Sequence, residues 1–318
     1  MHETRPVIAL TGGTGFVGAH VVACLAAAGW RPRLLTRRLP INPFLRDICV
    51  DTVIGDIHDA QALRELVTGA HAVIHAAGVV KAVAPEHFFA VNRDGTIALS
   101  TALQRHNPQA GLILISSLAA REPLLSPYAA SKRAAEEYLR QHASFPWLAL
   151  RPPAIYGPGD TEMLPLFRAM AKGICVRIGR KDARLSFLHV MDFAQAVTQA
   201  IDHLSSLSGV SHEIDDGAAS GHDWSDIVAA GRLACARRVT LIGFPDPLLW
   251  LLALLSGVQA RLTRRAAMLN LGKLREIRHP DWVVAPGRFG AVTGWRAQFD
   301  LSTGFAQTVA FYRKSGLL

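Results

Sequence analysis

The stretch "RPVIALTGGTGFVGAHVVACLAAAGW" (5–30) constrains the fold of this chain more than any other. A short apolar run ends in glycines and opens at once into an Ala-rich helical segment closed by Gly29. Gly12, Gly15 and Gly18 have the spacing G-x-x-G-x-x-G. Glycine permits the tight turn, lets the backbone approach a pyrophosphate and lets helix and strand pack closely, while the helix N-terminus faces the negative charge. Between a strand and a helix, this spacing points to a dinucleotide-binding turn, with Thr14, Phe16 and Val17 completing it.

Strand and helix signals go on alternating. "RPRLLTRR", "DTVIGDI", "HAVIHAAG", "GLILISS" and "PWLALRPP" read as strands, and "AQALRELVTG", a long stretch at 86–106 and the segment after Ser126-Pro127 read as helices. Alternation with buried apolar strands predicts an α/β, Rossmann-type doubly wound parallel sheet, whose ligands bind beyond the carboxyl ends of the strands. After Pro152 the alternation loosens into Gly-, Pro- and Arg-rich loops with isolated helices, as expected of a smaller, discontinuous C-terminal substrate-binding cap. "FLHVMDFAQAVTQAIDHL" reads as rejoining the sheet. The expected division is therefore 1–156 with 187–212 as the dinucleotide-binding domain, and 157–186 with 213–318 as the cap. The closing segment, 294–316, reads as a turn and an exposed amphipathic helix.

The strand ends carry the candidate chemistry. The second strand ends "LLTRR", with Thr36 where an acid would bind the ribose hydroxyls of NAD, then Arg37 and Arg38. Two guanidiniums suit a 2′-phosphate, so NADP is favoured over NAD. Asp56 and Ile57 follow the third strand, placed to flank an adenine ring. Ala76, Ala77 and Gly78 are small enough to let the backbone meet the cofactor ribose. Ser116 and Ser117 end "LILISS", and "SPYAASK" starts a helix with Tyr128 and Lys132 four apart on one face. An unperturbed tyrosine has a pKa of about 10. A neighbouring ammonium favours the phenolate and brings it toward working range. Tyr128 would then move a proton while a nicotinamide moves a hydride, with a serine on the substrate oxygen and Lys132 also on the nicotinamide ribose.

Taken in order, "TGGTGFVG", "GDI", "HAAG", "VNRDGT", "SS", "YAASK", "RPPAIYGPGD" and "FLHVMDFAQAV" resemble the extended short-chain dehydrogenase/reductase superfamily. The resemblance is to its NAD-dependent epimerase/dehydratase-like branch, on the side of 3-beta-hydroxysteroid dehydrogenases and dihydroflavonol reductases, and covers essentially the whole chain. It implies a Ser-Tyr-Lys set at Ser117, Tyr128 and Lys132, with Ser116 as the alternative serine. It implies that Asn92 orders the site and that Pro152, Ala154 and Ile155 contact the nicotinamide, while His189 and Asp192 anchor structure. It also implies a homodimer built on the helices at 86–106 and 127–142. Two departures stand out. The Ser117–Tyr128 loop is short, and "RLSF" has Ser186 where sugar-nucleotide epimerases carry an acid.

Composition narrows the alternatives. The net charge of +9 and pI of about 9.9 would suit nucleic acid, but the basic residues are scattered and no zinc-finger or aromatic RNA-binding signature occurs, so no nucleic-acid partner is expected. Cys24, Cys49, Cys175 and Cys235 are far apart and no H-E-x-x-H is present, so neither a disulfide frame nor a metal site is expected. The N-terminal residues lack a long apolar core, which predicts a cytoplasmic protein. "FPDPLLWLLALLSGVQARLTRR" (244–265) is apolar from Leu248 to Leu255, far short of the ~20 residues that span a bilayer. It reads as a buried cap helix lining a greasy pocket, as a peripheral membrane contact through 247–265, or as a dimer contact. The expected activity is interconversion of an alcohol and a ketone or aldehyde on a fairly apolar small molecule. The rivals are a nucleotide-sugar epimerase or dehydratase, and a non-catalytic nucleotide-binding assembly protein.

Overall fold

β1 (Val7–Thr11) runs through the glycine turn into α1 (Phe16–Ala27), followed by β2 (Arg31–Thr36), β3 (Asp51–Ile54), α2 (Ala60–Val67) and β4 (Ala72–His75). α3 (Pro85–Phe88) continues through a π-helical turn (Phe89–Asp94) into α4 (Gly95–His106), and β5 (Gly111–Ile115), α5 (Pro127–His142) and β6 (Trp147–Arg151) follow. Then come β7 (Ala154–Tyr156), α6 (Leu164–Ala171), β8 (Ile174–Arg177), β9 (Arg184–Leu185), β10 (Phe187–His189), α7 (Val190–Asp202) and β11 (Ser211–Glu213). The chain closes with α8 (Trp224–Cys235), β12 (Thr240–Gly243), α9 (Asp246–Thr263), α10 (Leu271–Arg278), β13 (Asp281–Trp282), α11 (Arg288–Thr293) and α12 (Leu301–Lys314). This computed structural model describes residues 5–39, 42–263 and 270–318.

The main sheet has the order β11-β6-β5-β4-β1-β2-β3, and β1 pairs in parallel with both β2 and β4. The chain therefore starts in the middle, builds outward to β3 and crosses back to the other side of β1. The crevice at that reversal, between β1 and β4, is where such sheets bind ligands. Every residue of β4, β5 and β6 is buried, which is why these strands read as continuous apolar runs without alternation. The doubly wound parallel sheet predicted by strand-helix alternation is the observed fold.

Two units divide the chain. The first comprises the residues up to Arg151 with Ala194–His212 and Gly287–Trp295, and the second Pro152–Phe193, Glu213–Pro286 and Arg296–Leu318. The expected boundaries at 156 and 187 shift because β7 leaves the main sheet to pair in parallel with β10, register Ala154↔Phe187, so both strands go with the second unit. The return of Gly287–Trp295 to the first unit was not expected. α11 is too short to show a period, and its signal is the buried Phe289 packed edge-on against Trp295 at 5.8 Å.

The stretch at 86–106 is helical as expected, and carries a π turn that buries Asn92. Two other expectations about helices need correction. The closing helix is not simply an exposed one, since Leu301, Phe305, Val309 and Tyr312 of α12 are buried in the core of the second unit. α9 is not a buried helix: Leu249 and Ala253 face inward, while Leu251 and Leu255 are 50% and 55% exposed. Among the described residues no helix is long and apolar enough to cross a membrane.

The glycine turn sets the geometry on which the site is built. A Cβ on Gly18 would sit 2.1 Å from the Gly12 carbonyl oxygen and 2.8 Å from the Gly13 Cα, so Gly18→Ala forces α1 away from β1. This substitution should cost about 1–3 kcal/mol, read as a lower urea midpoint. Gly15→Ala, whose Cβ would meet nothing closer than 3.4 Å, should cost less than about 1 kcal/mol. Equal losses in the two variants would contradict the close-packing role.

Candidate active site

At the end of β1 the chain turns through Gly12 at φ +72°, where a Cβ would lie 2.4 Å from the Ala77 nitrogen. Only glycine fits there, because the β1 turn and the β4 turn are in backbone contact. Gly15 donates its N–H to the Gly12 carbonyl at 3.0 Å and caps α1 with no side-chain partner for the first-turn N–H groups. Those N–H groups and the space kept by Gly12 and Gly18 form a cradle that fits a pyrophosphate. Thr14 presents its carbonyl to the Asn42 side-chain amide at 3.1 Å, and Phe16 stacks edge-on against His20 at 5.8 Å. These contacts fix both sides of the turn.

Beyond β2, the buried Thr36 hydroxyl donates to the Arg38 carbonyl at 2.9 Å, and the Arg37 and Arg38 side chains are exposed. Neither meets a carboxylate among the described residues. Asp56 is exposed and accepts the His58 N–H at 3.1 Å. Ile57 is buried, and a Cβ on Gly95 of α4 would approach it to 3.0 Å. Of that pair only Asp56 faces solvent.

Beyond β4, Ala76 donates its N–H to the Thr11 carbonyl and Ala77 donates to the Thr11 hydroxyl. The Thr11 hydroxyl lies 2.6 Å from His75 Nδ1. Burial, and secondarily the Lys132 charge, lowers His75 to about 3, so it is neutral. Val17 and Gly18 begin α1 on the facing side of the same turn.

Lys132 is buried in α5 and donates to the Ile115 carbonyl, the last residue of β5, at 2.8 Å. It sits one turn after Tyr128, which is half-buried with the Phe88 ring 6.1 Å away. A Cβ on Gly78 would lie 3.1 Å from Lys132 Nζ and 3.0 Å from Asn92 Oδ1, so Gly78 keeps this corner open. Asn92, brought in by the π turn, accepts the Val79 N–H at 2.9 Å and donates to the Ser131 hydroxyl at 2.9 Å. Ser131 in turn donates to the Tyr128 carbonyl at 2.8 Å. The structure thus brings Lys132, Gly78, Asn92 and the Tyr128 backbone into one cluster. Ser117 follows β5, its Oγ accepting the Ala119 N–H at 3.2 Å. Pro152, Ala154 and Ile155 lie in the second unit, in β7 and the residues leading to it.

Glu136 and its partner Arg151 escaped the sequence reading. Glu136, one turn beyond Lys132, is fully buried and bridges the Arg151 guanidinium, the Ser116 hydroxyl and the Ser211 hydroxyl. Ser116 is therefore committed to Glu136, whereas Ser117 is half-buried with its Oγ on the Ala119 N–H. The available signal was Glu136 at i+4 from Lys132, on the same helix face. Burial lowers the Lys132 ammonium from its ordinary 10.5 to about 8, and the Glu136 carboxylate opposes the fall. No group of side chains that would hold a metal ion occurs among the described residues.

A family model described as the NAD dependent epimerase/dehydratase family matches residues 8–212. A ceramide reductase of Caulobacter vibrioides (strain NA1000 / CB15N) is 42% identical over 316 residues, which is 99% of this chain and 97% of that protein. A 3 beta-hydroxysteroid dehydrogenase/Delta 5-->4-isomerase of Mycobacterium tuberculosis (strain ATCC 25618 / H37Rv) is 32% identical over 228 residues, covering 62% of this chain and 60% of that protein. Among solved structures, a UDP-glucose 4-epimerase from Bifidobacterium longum in complex with NAD+ and UDP superposes with a TM-score of 0.73 over 98% of this chain and 99% of that one. At 19% identity the last is a likeness of fold alone.

The buried ammonium gives the site a pH dependence with opposite signs for activity and stability. Its cost to the fold is fully present below about pH 8 and is relieved as pH rises from there toward 10.5. Turnover should fall over that same window, as Lys132 loses its charge, while the urea midpoint gains from this group. Glu136→Gln should move the activity limb to lower pH and cost about 3–5 kcal/mol, because it removes the carboxylate that pairs with the buried Arg151. Turnover that stays flat through pH 10, or that falls only where the protein unfolds, would contradict the role of Lys132.

Proposed function

The chain belongs to the NAD dependent epimerase/dehydratase family, and within it we propose that it is an NADP-dependent reductase of the extended short-chain type acting on a ketone of a ceramide-class lipid. The observation that carries this reading is the likeness to a ceramide reductase along 97% of that protein's length. The family match ends at 212, before most of the second unit, where substrate selection is expected. A likeness that runs on through that part speaks to substrate as well as to fold. The position that holds an acid in sugar-nucleotide epimerases supports it too, because Ser186 is buried and its hydroxyl is spent on Asp215 at 2.6 Å.

A nicotinamide dinucleotide bound at the glycine turn supplies the hydride. The chain's own residues do the rest. Gly12, Gly15 and Gly18 clear the way for the pyrophosphate and the α1 N-terminus binds it. Arg37 and Arg38 pair with the 2′-phosphate, which is the basis for favouring NADP over NAD. As negative charge develops on the carbonyl oxygen, the Ser117 hydroxyl donates a hydrogen bond to it and the Tyr128 phenol gives it a proton. Lys132, charged at neutral pH, stabilises the phenolate left behind. Asn92 and Ser131 hold the Tyr128 turn, and Glu136 with Arg151 holds Lys132 in place.

Tyr128→Phe tests the acid role with little change of shape. It should lower kcat on a long-chain keto-amide by about 10²–10⁴, the span expected of general acid catalysis. NADPH affinity, read by nicotinamide fluorescence, should change little. Undiminished turnover in this variant would contradict the mechanism.

A further inference from the structure

α9 is built the wrong way round for a helix that faces water. Its inward residues, Leu249 and Ala253, meet Leu274 of α10 in a small buried cluster. Its outward residues are apolar as well: Leu248, Trp250, Leu251, Leu252, Leu254 and Leu255 are 43%, 38%, 50%, 41%, 51% and 55% exposed. Neighbouring β12 adds Leu241 and Ile242, 39% and 45% exposed. A helix on a water-facing surface carries polar residues at these positions, and a contiguous apolar surface of this kind marks an interaction site.

The charge around this surface identifies the partner. Leu241 also lines a cavity of about 370 Å³ with Arg177, Lys181 and Trp224. Arg177 Nε is buried there with no hydrogen-bond partner among the described residues. The carboxylate at the cavity wall, Asp223, is engaged in capping α8 through the Ser225 and Asp226 N–H groups. From 246 to 278 the sequence holds Arg261, Arg264, Arg265, Lys273, Arg275 and Arg278 against Asp246 and Glu276; Arg264, Arg265 and the Arg261 side chain lie outside what the structure describes. Arg278 pairs with Asp246 and lies 5.9 Å from the Trp250 ring, and Lys273 pairs with Glu276, so both acids are taken. An apolar face rimmed with positive charge is the pattern of a segment lying in a membrane interface. A second copy fits less well, since a two-fold contact on this face would bring the two basic rims together.

We propose that the α9–β12 face docks on an anionic bilayer, with the leucines and Trp250 entering the acyl boundary and Arg177 and Lys181 taking a headgroup phosphate. The purpose of the docking, access to a lipid that stays in the membrane, rests on the reductase reading; its geometry does not. The test is co-sedimentation of the full chain with vesicles of phosphatidylcholine alone and of phosphatidylcholine mixed with phosphatidylglycerol. The protein should bind the mixed vesicles at least about tenfold more tightly. Leu251→Glu combined with Leu255→Glu should abolish binding, since both positions are exposed and the fold is kept. Arg177→Gln should weaken it. The Glu pair should leave NADPH binding and turnover of detergent-dispersed substrate unchanged. Absence of vesicle binding, binding indifferent to the Glu pair, or a dimer that the Glu pair dissociates in sedimentation velocity would each overturn the proposal. Vesicle binding lost in the Glu pair, by a protein that oxidises no NADPH with any keto-lipid, would uphold the docking and sink the reductase reading instead.

Discussion

One buried positive charge organises this site. Lys132 is held under the end of the sheet by the Ile115 carbonyl, in surroundings that would prefer it neutral. A buried ammonium survives only with partners. The fold supplies a carbonyl on one side and, one helical turn on, the Glu136 carboxylate. That carboxylate is itself tied to Arg151 at the end of β6 and to the hydroxyls of Ser116 and Ser211. The ends of β5 and β6, the start of β11 and the α5 helix thus converge on one charged cluster. The cluster fixes where Tyr128 stands, because Tyr128 and Lys132 share a helix face.

The second constraint is steric. A side chain at Gly12 would run into the Ala76–Ala77 backbone, and one at Gly78 would press on Lys132 and Asn92, so both glycines keep open the corner where the proposed cofactor would lie. Backbone contact between the β1 and β4 turns is what a sheet reversing direction between those strands demands. The Thr11 hydroxyl, shared between Ala77 and His75, locks it. The glycine turn and the small residues after β4 are therefore two halves of a single feature.

This pairing explains what was legible in the sequence. Elements whose pattern is local, such as the continuous apolar runs of β4–β6 and the helical face of α5, were readable, and so was the order of motifs that marks the family. Residues whose role depends on a distant partner were not. Glu136 looks like any helical glutamate until Arg151 and Ser211 arrive from other strands. The π turn at Phe89–Asp94 leaves no mark on the apolar period, yet it buries Asn92. α12 reads as an amphipathic surface helix, but its apolar stripe is buried in the core of the second unit. α9 fails in the opposite sense: its composition suggested burial, and only Leu249 and Ala253 have somewhere to go. β7 was assigned to the wrong unit because its partner, β10, lies about thirty residues further on, outside any local pattern.

The account rests on net transfer of hydride from NADPH to a lipid ketone. The most direct measurement is a single turnover with NADPH carrying deuterium at both C4 positions of the dihydronicotinamide and a long-chain keto-amide, followed by mass spectrometry of the product. The account predicts an alcohol with one deuterium on the carbinol carbon, and far slower transfer from the corresponding NADH. A ketone returned unchanged, or an alcohol free of deuterium, would contradict it.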